Sequence, residues 1–184
     1  MKLKEYQAKD IFAWRKFLIS KGANKEEIDW LLDMGGGLSW SDLQKLYLDQ
    51  KISINLERSL EELQDIWNLY IEKKRPLQHS IGRIRWREFE LEVSADALIP
   101  RQETELLVDF ALEKFDIHSK GVWADLGTGS GAIAVALAHS FLSWEGHAVD
   151  CSMHALSLAQ RNLNKLSPNS IVTIHLGNWW EPLE

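Results

Sequence analysis

The chain has 184 residues, 45% of them hydrophobic and 26% charged, with a formal net charge of −6. This is ordinary soluble globular composition, enough for one domain or for one small domain and part of another. The acidic balance gives no electrostatic footprint for direct nucleic-acid binding, and no apolar run approaches the ~18 residues of a membrane span.

Residues 1–75 read as helices only. Leu3, Tyr6, Ile11, Trp14 and Leu18 recur at three- to five-residue steps, a rough helical stripe. Asn24 with Glu27 forms a candidate capping box, followed by Ile28, Leu31 and Leu32 as the buried face. That helix is expected to stop at Gly35-Gly36-Gly37, which is no phosphate loop because no Gly-Lys-Ser/Thr follows. Ser41–Tyr47 is another short helix. Ser59 with Glu62 repeats the capping-box pattern, with Leu63, Ile66, Trp67 and Tyr70 on one side, and Pro76 closes the region. Four of the nine tryptophans (Trp14, Trp30, Trp40, Trp67) fall here and are expected to fill the core of a small bundle.

The period then changes. Ile84, Trp86, Phe89, Leu91 and Val93 approach every-second-residue spacing with a break at Arg87-Glu88, so residues 76–100 read as a β-hairpin linker. A helix follows from Thr104 to about Phe115, with Leu106, Leu107, Phe110 and Ala111 expected to be buried. Next come a strand (Gly121–Leu126), a helix (Ser130 to about Ser140), a strand ending at Asp150, a helix (Met153–Leu166) and a strand (Ile171–Leu176). Alternation at this spacing predicts an α/β fold with a parallel, doubly wound sheet.

The first of these strands turns on three glycines into an alanine-rich helix: Asp125-Leu126-Gly127-Thr128-Gly129-Ser130-Gly131-Ala132. Glycines allow positive φ and close approach of a ligand, and the helix start offers unpaired N–H groups. Gly127, Gly129 and Ala132 satisfy the dinucleotide pattern G-x-G-x-x-G/A, with Asp150 ~20 residues on, where a ribose-binding acid belongs. Asp125 argues against a dinucleotide. A carboxylate at the strand tip would repel a pyrophosphate but suit the ammonium and sulfonium charges of S-adenosylmethionine. A helix-capping or loop carboxylate is the other reading of Asp125.

These residues carry a resemblance. Asp125 to Gly131 resembles motif I of class I methyltransferases. Pro100-Arg101-Gln102-Glu103-Thr104-Glu105 resembles the P-R-x-x-T-E signature of bacterial release-factor glutamine methyltransferases of the HemK type. Leu77-Gln78-His79-Ser80-Ile81-Gly82, the hairpin and the helical N-terminal part are also similar to that family. The resemblance implies a helical domain over 1–75 that grips release factors, the hairpin linker, and over 101–184 the first half of a Rossmann-like, S-adenosylmethionine-binding domain. It implies methylation of the side-chain amide of the glutamine in the Gly-Gly-Gln loop of peptide chain release factors. Asp125, Gly127, Thr128, Gly129, Ser130 and Gly131 would line the methionine and ribose, Asp150 would hold the ribose hydroxyls, and Trp179 would pack near the adenine; Trp180 beside it reads as ordinary core, with Trp180 rather than Trp179 facing the ligand as the other reading.

The family's Asn-Pro-Pro-Tyr motif does not occur before Glu184, so no catalytic residue is assigned. In the family that motif aligns a weakly nucleophilic amide nitrogen with the methyl group, a positioning role with little acid–base chemistry. The chain therefore reads as a C-terminally truncated form that leaves the Gly121–Leu126 strand as an unpaired edge, and it is expected to be poorly stable unless a partner or second copy covers it. A remnant that binds cofactor or release factor without turnover, and a sister methyltransferase acting on a ribosomal-protein glutamine or nucleic-acid base, are the alternative functions; a dehydrogenase is a more distant one. The six histidines show no metal spacing and Cys151, the single cysteine, reads as a small buried thiol, so neither a metal nor a disulfide is expected. Without a signal-type core after its lysine-rich start, the chain reads as cytoplasmic.

Overall fold

The computed structural model describes residues 3–184 and divides between Ile81 and Gly82 into two units. The first holds strand β1 (Lys4–Gln7), helices α1 (Ala8–Ser20), α2 (Lys25–Trp30) and α3 (Trp40–Leu48), strand β2 (Ser53–Leu56), and helices α4 (Leu60–Lys73) and α5 (Leu77–Ile81). Its core gathers Ile11, Leu18, Ile28, Leu31, Leu63 and Trp67. The helices expected from spacing are present, but the reading of helices only is corrected: Leu3 and Tyr6 are not on α1, and Tyr6 lies in β1, which pairs antiparallel with β2, opposite Ile54. Only Tyr6 of β1 is even half-buried, so the charged Lys4 and Glu5 beside it hide a period of two from any hydrophobicity count.

Trp14 and Trp30 pack against this core, but Trp40 does not join it. Its ring is 70% exposed at the start of α3, which corrects the expectation that all four tryptophans are core. Asn24 does cap α2, accepting from the Glu26 N–H at 3.0 Å. Glu27 does not complete that box; its carboxylate instead accepts the Tyr70 hydroxyl. The glycine run ends the helix through a π turn, Leu31–Gly35, with Gly37 at φ +73°. A side chain at Gly35 would meet Leu63 Cδ2 at 2.9 Å, so the run also lets α4 approach closely. Buried Arg15 joins three helices: Nε and Nη2 donate to the two Asp29 oxygens at 2.6 and 2.8 Å, and Nη1 donates to the Tyr47 hydroxyl.

The capping box on α4 is complete: Ser59 Oγ accepts from Glu62 N–H at 3.1 Å, and Glu62 Oε2 accepts from Ser59 N–H at 2.6 Å. The Ser59 backbone bond, then Lys4 Nζ at 3.0 Å, hold the Glu62 carboxyl down to about 2. A depressed carboxyl contributes stability above its unfolded value and loses it as pH falls through the folded one. The expected result is that Ser59–Leu63 amide protection declines between pH 4.5 and about 2. Glu62→Gln should flatten that limb in an amide-exchange titration.

The second unit starts with a hairpin, β3 (Arg83–Trp86) and β4 (Phe89–Glu92), turning at Arg87 with φ +51°. Residues 76–100 are thus not one separate linker. Leu77 and Ile81 of α5 belong to the first core, while β4 packs on a helix of the second unit. A 3-10 turn (Gln102–Thr104) leads to α6 (Glu105–Lys114), then β5 (Val122–Leu126), α7 (Ala132–Ser140), β6 (Glu145–Asp150), α8 (Met153–Leu166) and β7 (Ile171–Leu176). The sheet is parallel in the order β5-β6-β7, with Asp125 opposite Ala148 and Val149 opposite His175.

One face of this sheet carries Trp123, Asp125, Gly146 and Ala148, and Asp125 reaches the start of α7 from it. Trp123 lies directly across from Gly146, where a Cβ would come within 2.2 Å of an indole carbon, and a Cβ at Gly121 would come within 2.6 Å of the Trp144 ring. The opposite face leaves Val122 and Ile171 exposed and brings His147 Nδ1 to 2.9 Å from His175 Nε2. Among the described residues β5 pairs only with β6. The burial expected on α6 is corrected: Leu106, Leu107 and Phe110 are exposed, and Val108 is the buried position. This helix is apolar nearly all round, so spacing could not say which side turns inward. No helix among the described residues is long and apolar enough to cross a membrane.

Candidate functional site

Parallel strands end together, so the loops after β5, β6 and β7 share one rim of the sheet, the usual place for a ligand in an open α/β fold. The loop after β5 holds three left-handed glycines, Gly127 (φ +78°), Gly129 (φ +56°) and Gly131 (φ +80°). Gly127 and Thr128 N–H both donate to Val149 O, at 2.8 and 2.9 Å, and Gly131 N–H donates back to Thr128 O at 2.8 Å. The loop is therefore a closed knot fastened to the end of β6.

Asp150 sits at that end. Its Oδ2 accepts from Gly129 N–H and its Oδ1 from Ser152 N–H, both at 2.9 Å, so the carboxylate is fixed on the loop and on the start of α8. Its backbone oxygen accepts Gly177 N–H at 3.1 Å, which brings in the segment after β7. A cleft of about 170 Å³ lies between these parts, lined by Gly127, Asp150, Cys151, Gly177, Asn178 and Trp179.

Asp125 behaves differently. It is 7% exposed, and its Oδ2 accepts from Thr128 Oγ1 at 2.7 Å and from Ala134 N–H at 3.2 Å. Burial pushes its carboxyl above the ordinary range; the Thr128 and Ala134 hydrogen bonds oppose this, and the charge of Asp150 adds to the rise. The carboxylate occupies the N-terminal turn of α7, the position that holds a pyrophosphate in dinucleotide folds. Thr128, Ser130 and Gly131 are likewise buried. Of the eight residues singled out in the sequence, Gly127, Asp150 and Trp179 line the cleft, and Gly129 reaches it through Asp150.

Trp179 stands 72% exposed on a backbone at φ +50°, a conformation unusual for a bulky side chain. Trp180 is exposed too, which corrects its reading as core. Cys151 is also exposed, against the expectation of a buried thiol, because it follows the last residue of β6 and so faces the rim. Sequence reasoning missed Cys151, Gly177 and Asn178 as lining residues; their adjacency to Asp150 and Trp179 was the available signal. It also missed how the P-R-x-x-T-E stretch is held. Trp86 Nε1 donates to Arg101 O at 2.9 Å, and Arg87 binds Glu105 and Asp109. Among the described residues no group of three potential metal ligands forms.

Residues 102–184 match the family described as the methyltransferase small domain. Over 181 residues the chain is 54% identical to the release factor glutamine methyltransferase of Prochlorococcus marinus, covering 97% of this chain and 62% of that protein. The chain is a sequence relative of the release factor glutamine methyltransferases. A protein of the same name from Synechocystis sp. is 39% identical over 178 residues, 92% of this chain and 58% of its own length. The chain thus spans roughly three fifths of the length of these two release factor glutamine methyltransferases. Its P-R-x-x-T-E stretch and glycine loop both fall within the part they share.

Proposed function

We propose that this protein binds S-adenosylmethionine in the cleft at the ends of β5, β6 and β7. There it serves the methylation of the side-chain amide of the glutamine in the Gly-Gly-Gln loop of peptide chain release factors. The observation that carries the cofactor reading is the Asp125 carboxylate seated at the start of α7. Its oxygen takes the α7 N–H that a pyrophosphate would need, and Asp150 presents a carboxylate at the rim beside the loop. Such a rim repels a pyrophosphate and attracts a ligand bearing ammonium and sulfonium charges.

The residues present fit that ligand. Each Asp150 oxygen has one backbone bond and lone-pair capacity left for a ribose hydroxyl. The exposed indole of Trp179 offers a stacking surface for a purine. Gly127 has open space where a side chain would point, so ligand atoms can approach its backbone. Asp125 then acts as the fixed support of the loop, with Thr128, Ser130 and Gly131 shaping the same wall. When bound, the cofactor supplies an electrophilic methyl group on sulfur. No Asn-Pro-Pro-Tyr run occurs in these 184 residues, and none of them is assigned to align the amide.

The release-factor substrate is supported by the 54% identity to an enzyme of that name. Titration calorimetry with S-adenosylmethionine, S-adenosylhomocysteine and NAD tests the cofactor. The first two are expected to bind and NAD is not; binding of NAD alone would restore a dinucleotide reading. Transfer of labelled methyl to a release factor, with its Gly-Gly-Gln glutamine changed to alanine as control and RNA as rival acceptor, tests the substrate.

A further inference from the structure

Asn162 on α8 is a fully buried polar residue, and all its side-chain bonds go to backbone. Its Oδ1 accepts from Glu92 N–H at 2.8 Å, while Nδ2 donates to Glu92 O at 3.0 Å and to Ser130 O at 2.8 Å. Ser130 belongs to the glycine loop and Glu92 is the last residue of β4. One turn earlier on the same helix, Ala159 packs against Gly131 so closely that a Cβ there would lie 3.0 Å from Ala159 Cα. On the far side, the hairpin holds the Pro100–Glu105 stretch through Trp86 and Arg87.

We propose that Asn162 is a positioning residue. It sets the Ser130 carbonyl, and with it the glycine loop, for cofactor binding, and it couples that loop to the β3–β4 hairpin. The chemistry of the amide makes this specific. One group must accept from an N–H while its neighbour donates to two carbonyls, and no isosteric side chain does both. An apolar residue would take these partners from three backbone groups and leave the buried Ser130 carbonyl without this bond. Coupling is reciprocal: a ligand that fixes the loop must also tighten the hairpin, and a contact that shifts the hairpin must alter cofactor affinity. This inference rests on the S-adenosylmethionine reading of the cleft.

The test uses the full chain, S-adenosylhomocysteine as probe, and Asn162→Asp. In that variant Oδ1 still accepts from Glu92 N–H, but the second oxygen faces two carbonyls. Its charge at pH 8 should loosen the loop, and its proton at pH 5.5 should restore one donor. Affinity by calorimetry is expected to fall at least tenfold at pH 8 relative to wild type, with most of the loss recovered at pH 5.5. Amide exchange over Gly129–Ala134 should quicken about tenfold, leaving the interior of α7 unchanged. If the variant fails to fold at pH 8, wild type decides: the probe should slow exchange of the Glu92 amide at least threefold. Wild-type affinity and loop exchange in folded Asn162→Asp, or a Glu92 amide indifferent to the probe, would overturn the proposal. Failure of the probe to bind wild type counts against the cofactor reading instead, and loop exchange in the variant then judges the positioning role alone.

Discussion

Gly131→Ala is expected to lower the melting temperature of the second unit by about 10 °C or more. Gly131 holds φ +80° and ψ 18° at the start of α7, and a Cβ there would lie 3.0 Å from both Cα and Cβ of Ala159. A left-handed residue other than glycine costs roughly 1–2 kcal/mol. Overpacking against a neighbour that cannot swing away adds about 1–3 kcal/mol, and in a domain of ~100 residues each kcal/mol moves the midpoint by roughly 4–8 °C. Gly127→Ala is the matched control. Its φ of +78° is nearly the same, but open space surrounds the new methyl. That variant should lose only the conformational part of the stability while still losing cofactor, because the methyl enters the cleft. Scanning calorimetry with and without S-adenosylhomocysteine separates the two; equal melting temperatures for both variants would remove Ala159 from the account.

Asp150→Ala is expected to weaken S-adenosylhomocysteine binding by about a hundredfold or more. The carboxylate organises Gly129 and Ser152 before any ligand arrives, and it would accept the ribose hydroxyls when one does. Charge-assisted bonds contribute about 1.5–3 kcal/mol each, so two of them amount to at least two decades in affinity. Asp150→Asn should recover part of the loss, since one oxygen remains to accept. Asp150→Glu should not, because the longer side chain pushes the loop away from the strand end. Calorimetry at one fixed pH is the readout, and a binding constant within threefold of wild type for the alanine variant would contradict the pose.

The parallel half of the fold was legible because its strands are short apolar runs and its helices carry clear spacing: α8 and β7 lie where the pattern put them. The site's rim was legible for the same reason, since Asp150 and the glycines sit at strand ends that a βαβ reading locates. What stayed hidden depended on side choice and on tertiary partners. Leu106, Leu107 and Phe110 look like a core stripe, yet α6 buries Val108 instead. Asn162 continues the buried stripe of Ala155, Leu158 and Ala159, and a polar residue there reads as surface until its partners on Glu92 and Ser130 are seen. Asp125 reads two ways in the sequence, as a ligand contact and as a helix-capping or loop carboxylate. Only the bonds from Thr128 and Ala134 show where its oxygen goes.

The tryptophan–glycine pairs between β5 and β6 bear on how this sequence can drift. Gly146 has no room for a methyl while Trp123 covers it, and Gly121 stands in the same relation to Trp144. Neither glycine can be exchanged alone, whereas each tryptophan can shrink first at the cost of a cavity. A side chain at Gly146 is therefore expected to be tolerated only after Trp123 has been replaced by a smaller residue, and the same holds for Gly121 and Trp144.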